Sequence, residues 1–394
     1  MEPIIPLTIG VLASLGAEAY LLAEWRNKVP IRIHVNGTRG KSTTVRLIAA
    51  MCRKAGASCI AKFTGGAPGW IDTAGVEHIW VRRGPARLSE QMRFWRLAAR
   101  QGVQTAVLEC MAVDPYLQWV AERRITKATH TVITNVRLDH QEVMGADLTQ
   151  IACSLANAVP VNGHLILGAE EFVHVFAPIA ASRNTRLSWV TAEMRQELRQ
   201  ELGGDWSAGF LENAATALLA AETLGISAQA GREVLQGWQR ETPYYPALWQ
   251  RRIVWVINGL AANDPESACM LWDRLPSGEK AVALYAHRAD RPLRLRGFLK
   301  ALEQETRCRE LLITGPIAKQ HETLRQWQAE AGDRTPWAVS AVGTQAVTRR
   351  ITALTQQSAT PIWLILLGNE LGLPPECRTF VTPVTEYAEA KDAT

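Results

Sequence analysis

The sequence predicts a two-domain α/β protein with a mostly parallel sheet in each domain. Three observations carry that expectation. Apolar β-candidates alternate with helical patterns along the chain, a glycine-rich turn joins the first strand to the next helix, and a Pro/Tyr cluster interrupts the alternation past the middle. After Pro30, Ile31–Val35 reads Ile-Arg-Ile-His-Val, with the alternation of a half-buried strand. Asn36-Gly-Thr-Arg-Gly-Lys-Ser-Thr-Thr44 follows, then the apolar-periodic stretch 45–53. Further strands are expected at 105–109, 130–135 and 164–167, separated by helical patterns at 89–101 and 148–158. Helices at 210–224 and 228–239 complete this part. Pro243, Tyr244, Tyr245 and Pro246 break helicity, which sets the expected boundary: a larger domain over 29–246 and a smaller one over 247–394. In the smaller domain β-patterns at 252–257, 280–286, 310–314 and 361–367 again alternate with helical ones.

Composition agrees with a packed core. The 394 residues are 47% hydrophobic and 21% charged, which excludes intrinsic disorder and a multi-pass membrane protein. The net charge of +5 is evenly spread, with no basic tail or concentrated patch, so no nucleic-acid partner is expected. Seven cysteines without a C-x-x-C pair read as reduced thiols rather than disulfides or a zinc site. Residues 1–28 form a hydrophobic segment, uncharged from Pro3 to Ala17, interrupted by Glu18 and followed by Arg26 and Lys28. It is read as a membrane anchor, or as a helix packed on the protein or a partner. If it spans a bilayer, the residues after Arg26 face the cytoplasm.

The strongest chemical signal is Gly37-Thr38-Arg39-Gly40-Lys41-Ser42 between a strand and a helix. Glycines let backbone N–H groups turn toward one anion, and the helix N-terminus adds its positive end. Lys41 can reach terminal phosphates and Ser42 can ligate Mg²⁺. The run is a shorter variant of the general phosphate-loop pattern, because Val35 stands where the first glycine of that pattern belongs. Glu109, ending an apolar strand, is expected to point into the ligand crevice as a metal ligand.

The loop resembles the ATP loop of the Mur ligase superfamily. Val107–Pro115, Thr134–Gly145, Asn258–Ser267 and Arg288–Arg291 resemble, in order, the ATPase/ligase subunit of poly-γ-glutamate synthase, the PgsB/CapB family. The resemblance implies a Mur-ligase-like P-loop domain followed by a smaller Rossmann-like domain. It implies ATP and Mg²⁺, with Mn²⁺ as the alternative. Asn36, Gly37, Thr38, Arg39, Gly40, Lys41, Ser42 and Thr43 would hold the phosphates, Asn213 would read adenine and Asn258 would contact the ribose. Ser42 and Glu109 would hold metal, and His140 would be a ligand to a second Mg²⁺ with Asp139 orienting that second site. Arg288 and Arg291 would join Lys41, Glu109 and His140 in catalysis once the domains close. Lys62, Asn135, Asp139 and Asn263 are the expected substrate contacts. Many Mur ligases complete a second metal site with a carbamylated lysine. This chain has no Lys between Lys127 and Lys280, a departure that favours the polyglutamate branch.

The implied activity is ATP-dependent coupling of glutamate to a poly-γ-glutamate chain, at the cytoplasmic side of a bacterial plasma membrane. The implied partners are small integral membrane subunits, with a homo-oligomer allowed for. Two alternatives stay open: a folylpolyglutamate-synthase-like ligase, and an ATPase that energises export of an acidic polymer.

Overall fold

A computed structural model describes residues 4–65, 68–82, 86–203, 206–238, 244–260, 264–288, 292–315, 320–331 and 335–381. The chain divides into two compact units, Met1–Gln239 and Arg240–Thr394.

The first unit opens with the helix α1 (Ile4–Asn27), then β1 (Ile31–Asn36) and α2 (Lys41–Lys54). The strands β2 (Cys59–Phe63), β3 (Gly69–Ile71) and β4 (Glu77–Ile79), the helix α3 (Ser89–Gln101), and β5 (Thr105–Glu109) follow. The remaining strands are β6 (His130–Ile133), β7 (His164–Leu167) and β8 (Arg186–Trp189). They form one sheet in the order β4-β3-β2-β5-β1-β6-β7-β8. It is parallel from β2 to β8, and β3 and β4 add an antiparallel edge. The alternation in β1 explains how the sheet is covered. Ile33 and Val35 join Val45, Leu47, Ile48 and Met51 of α2 and the helix Ala208–Thr223 in one core. On the other face Ala106 and Leu108 of β5 pack with Phe94 and Trp95 of α3 and Leu22 of α1.

α1 contacts α3 near its end, while Ile9, Leu12, Leu15 and Tyr20 remain exposed. Among the described residues, no helix is long and apolar enough to cross a membrane.

The second unit holds β9 (Tyr245–Trp249), β10 (Arg252–Gly259), β11 (Ala281–Ala286), β12 (Cys308–Thr314), β13 (Ala338–Val342) and β14 (Ile362–Gly368). Their order is β13-β12-β11-β14-β10-β9, parallel except for β9. β9 and β10 are joined by Gln250 and Arg251, both left-handed at φ 47° and 67°, as a tight hairpin between twisted strands requires. The expected boundary after Pro246 therefore falls inside a strand. Pro246 belongs to β9, where it is tolerated because β9 lies at the sheet edge.

Candidate functional site

β1 has β5 on one side and β6 on the other, although the chain visits β2 before either. Such a reversal opens a crevice at the carboxyl ends of the strands. Those ends carry Asn36, Glu109 and, just past β6, Thr134 and Asn135. The glycine turn lies among them. Gly37 has φ 125°, and a Cβ there would run into Thr134. Gly40 has φ 76° and precedes α2, and a Cβ there would overlap the carboxamide of Asn213. These two positions need glycine for both conformation and space.

The residues after β6 hold the turn in shape. Thr38 donates its N–H to the Asn135 carbonyl at 3.1 Å and its hydroxyl to Asn135 Oδ1 at 2.7 Å. Asn135 Oδ1 also accepts from Arg39 N at 2.9 Å, and Thr134 Oγ1 donates to the Arg39 carbonyl at 2.5 Å. The Arg137 N–H reaches Thr38 Oγ1 at 2.9 Å, and Asn36 Nδ2 donates to Gln118 Oε1 at 2.8 Å. Asn135, expected to touch substrate, is thus engaged in shaping the loop. Thr134, Arg137 and Gln118 share that work. Sequence reasoning gave them no role, although Thr134 and Arg137 stand in a segment that carried the resemblance.

Lys41 opens α2 and folds back over the turn. Its Nζ donates to the carbonyls of Gly37 at 2.6 Å and Thr38 at 3.3 Å. Burial pushes its pKa below the usual lysine range, and the nearby Glu109 carboxylate works against that. No side chain caps α2 and no acidic residue lies in its first turn, so its end favours an anion.

Ser42 Oγ donates to Glu109 Oε2 at 2.7 Å, and the same oxygen accepts from Thr64 N at 2.7 Å. A Cβ at Gly65 would come within 2.7 Å of Ser42 Oγ, so glycine keeps the space beside this pair free. One hydroxyl and one buried carboxylate form a hard oxygen donor set, which fits Mg²⁺ or Mn²⁺. Asp139 and His140 form a different group. Asp139 Oδ2 lies 2.8 Å from Arg39 Nη2 and 3.5 Å from His140 Nε2, and His140 is left-handed at φ 50°. Among the described residues no three His, Cys, Asp or Glu side chains gather to hold a metal. Ser42 and Glu109, expected at one cation, are in direct contact, while Asp139 and His140, expected at a second, lie together beside Arg39.

Asn213 lies six residues into its helix rather than at the start, because Ser207 provides the N-cap through Phe210 N at 3.2 Å. Its Oδ1 is buried without a hydrogen-bond partner, beside Gly40. That leaves one acceptor at the loop open to a ligand N–H. Lys62, expected on an open substrate surface, is fully buried in β2. Its Nζ pairs with Glu90 Oε2 at 3.2 Å and sits 4.9 Å from the Trp80 ring centre. Burial lowers its pKa and Glu90 opposes the shift.

In the second unit, Asn258 ends β10 with its Oδ1 accepting from Leu260 N at 3.1 Å, and Arg288 follows β11 half-buried. Arg251 and Arg252 are exposed at the β9–β10 hairpin. Asn263 and Arg291 lie outside the described residues.

A family model described as the poly-gamma-glutamate synthase CapB C-terminal domain matches residues 244–371. The capsule biosynthesis protein CapB of Bacillus anthracis is 34% identical over 258 residues, which cover 63% of this chain and 54% of that protein. The chain thus matches about half the length of that relative. The PGA synthase CapB of Bacillus subtilis is 30% identical over 316 residues, covering 75% of this chain and 78% of that protein. Among solved structures, the Yersinia pestis bifunctional folylpolyglutamate synthase/dihydrofolate synthase complexed with AMPPNP and Mn ion is similar at TM-score 0.59 and 19% identity, over 90% of each chain. MurF of Acinetobacter baumannii is similar at TM-score 0.60 and 13% identity, over 90% of this chain and 78% of that one. The fold is that of the Mur ligase and folylpolyglutamate synthase structures, as the loop's resemblance implied.

Proposed function

Because this chain belongs to the CapB family of poly-γ-glutamate synthases, shared with the Bacillus subtilis PGA synthase, we propose that it is an ATP-dependent ligase that joins glutamate to a poly-γ-glutamate chain. One observation carries the reading: the Lys41 ammonium and the Ser42–Glu109 pair converge on a glycine turn at the reversal of a parallel sheet.

The α2 amides and Lys41 bind the triphosphate, with the Lys41 ammonium leaving the turn carbonyls for phosphate oxygens. Asn213 Oδ1 accepts from the adenine amino group, a role suited to a buried oxygen that lacks a donor. A divalent cation on Ser42 and Glu109 supplies neutralisation of phosphate charge. The γ-carboxylate at the polymer end attacks the γ-phosphorus of ATP. The bond to the bridging oxygen breaks, giving ADP and an acyl phosphate. The amine of the next glutamate attacks the acyl carbon, phosphate leaves with its C–O electron pair, and the nitrogen loses a proton. No protein nucleophile is needed; this chain's residues position and neutralise charge. Glutamate as the amino acid follows the names of the relatives, and L-glutamate is bound in one structural neighbour.

We place the protein at the cytoplasmic face of a bacterial plasma membrane, beside small integral membrane subunits and open to self-association. The exposed apolar side chains of α1 supply the contact surface.

The test is mass spectrometry of products from ATP, glutamate and a short γ-linked acceptor, with phosphate release measured in parallel. Wild type should form one amide per phosphate, and Lys41→Ala should lower both by about 10²–10³-fold, the scale of losing one key charge-stabilising group. Phosphate without amide would favour the export ATPase. Extension of a folate in place of the γ-linked acceptor would favour the folylpolyglutamate-type ligase.

A further inference from the structure

At the opposite end of the first sheet, where the strands begin, the cations are arranged differently. Arg32 is the second residue of β1, His130 and His164 open β6 and β7, and Arg186 opens β8. The turn Ala121–Thr126 is a wide π-type coil closed by Lys127 N to the Glu122 carbonyl at 2.7 Å. It turns Glu122 inward to His34 Nδ1 at 2.8 Å, while Arg124 and Lys127 stay exposed and Arg123 half-exposed. Two clefts lie here, of about 540 Å³ and 630 Å³, joined through Thr129 and Asn162, which line both.

The lining cations are Arg32, Arg123, Arg124, Lys127 and Arg186. None of the five pairs with a carboxylate within 4 Å among the described residues. The Arg32 guanidinium donates to the carbonyls of Lys127 at 2.9 Å, Val29 at 2.8 Å and Pro30 at 3.4 Å. The one carboxylate in the lining, Glu122, is bound to His34 and to Ala128 N. Arg183 nearby bonds the carbonyls of Ala156, Asn157 and Val159 and repels Arg123. Glu122 attracts Arg32 and Arg183 through space, one carboxylate against a larger number of cations. Cations in such excess raise one another's energy, and a bound polyanion relieves that.

We propose that these joined clefts bind an anionic chain of repeated carboxylates, the already-made part of the polymer, away from the phosphate loop. The inference rests on the reading above only for the identity of the polymer. Concave walls suit a flexible chain better than a flat bilayer. Of the aromatic rings in the lining, Trp119 is already stacked on Tyr116 and faced by Arg124, and His130 and His164 are stacked on each other at 5.9 Å, which disfavours stacking of nucleic-acid bases. Holding the product tail would keep its end at high effective concentration near the site of extension.

The full chain, without ATP, is titrated with fluorescein-labelled poly-γ-glutamate, phosphatidylglycerol vesicles and single-stranded RNA. The expected result is salt-sensitive binding of the polymer, weakened at least tenfold in Arg123→Gln/Arg124→Gln/Lys127→Gln with the melting temperature unchanged. Arg123→Lys/Arg124→Lys should retain it. In wild type the polymer should also slow acetylation of Lys127, a readout independent of any variant. Preference for vesicles or RNA, or full binding by the triple variant, would overturn the proposal. In ligation assays the triple variant should add the first glutamate at the wild-type rate yet release shorter chains. Polymer binding without ligation would remove the ligase reading and leave this site standing; ligation without polymer binding would do the reverse.

Discussion

The two ends of the first sheet are both rich in arginine, and they use it in opposite ways. At the carboxyl end Arg39 pairs with Asp139 at 2.8 Å and Arg137 with Glu212 at 2.6 Å, so these two loop arginines are fixed by carboxylates. At the amino end Arg32, Arg123, Arg124, Lys127 and Arg186 line joined clefts with no carboxylate bound to any of them. Paired charges position; unpaired ones attract. A chemical step needs the first, because misplaced groups lose rate, whereas retention of a polymer needs only the second.

The sharpest way to break this contrast is Glu109→Gln, which leaves the shape of the Ser42 pair but removes its charge. Coupled amide formation should fall about 10²-fold and the divalent-ion concentration for half-maximal rate should rise, read from initial rates across a Mg²⁺ series. A rate unchanged at every Mg²⁺ level would mean that this carboxylate plays no part in cation binding. A second effect is on stability. Lys62→Met leaves Glu90 with Arg82 and the Arg87 N–H, and breaking a buried ion pair costs about 3 kcal/mol, measurable by urea denaturation. Gln in place of Arg123, Arg124 and Lys127 should instead shift stability by no more than about 1 kcal/mol, since no ion pair is lost and the contact of Arg124 with the Trp119 ring is weak. Equal losses in the two variants would erase the distinction between paired and unpaired cations.

A third effect is in pH. Burial, with the His164 charge second, lowers the pKa of His130 from 6.5 to about 4. As pH falls below 6.5 the unfolded chain takes up a proton that the folded imidazole refuses, so stability should decline between pH 6.5 and about 4 and then level off. An NMR titration of the imidazole resonances, with His130→Gln flattening that decline, checks it. Titration of His130 near 6.5 in the folded protein would overturn it.

Much of the carboxyl end was legible in the sequence because its chemistry is contiguous or sits at strand ends. The loop from Gly37 to Ser42 is a single run, and Glu109 follows an apolar strand whose limits match the expected ones. What escaped is set by pairs far apart in the chain. Asn135 meets Thr38 across 97 positions and Lys62 meets Glu90 across 28, and no local pattern announces either. Asn213 lies near the start of the apolar pattern at 210–224, but Ser207 caps the helix earlier and moves Asn213 into its second turn. The amino-end cations were invisible for a related reason. The charge is spread evenly along the sequence, and only the adjacency of β1, β6, β7 and β8 gathers Arg32 and Arg186 with the turn after residue 120.

Lys41 has a further consequence. With its ammonium on the carbonyls of Gly37 and Thr38, the lysine serves as an internal stand-in for the ligand, tying the bend shut before any nucleotide arrives. On the proposed function, a nucleotide would exchange one set of oxygens for another around the same nitrogen. The entropy of ordering that stretch would then be lost during folding rather than on binding.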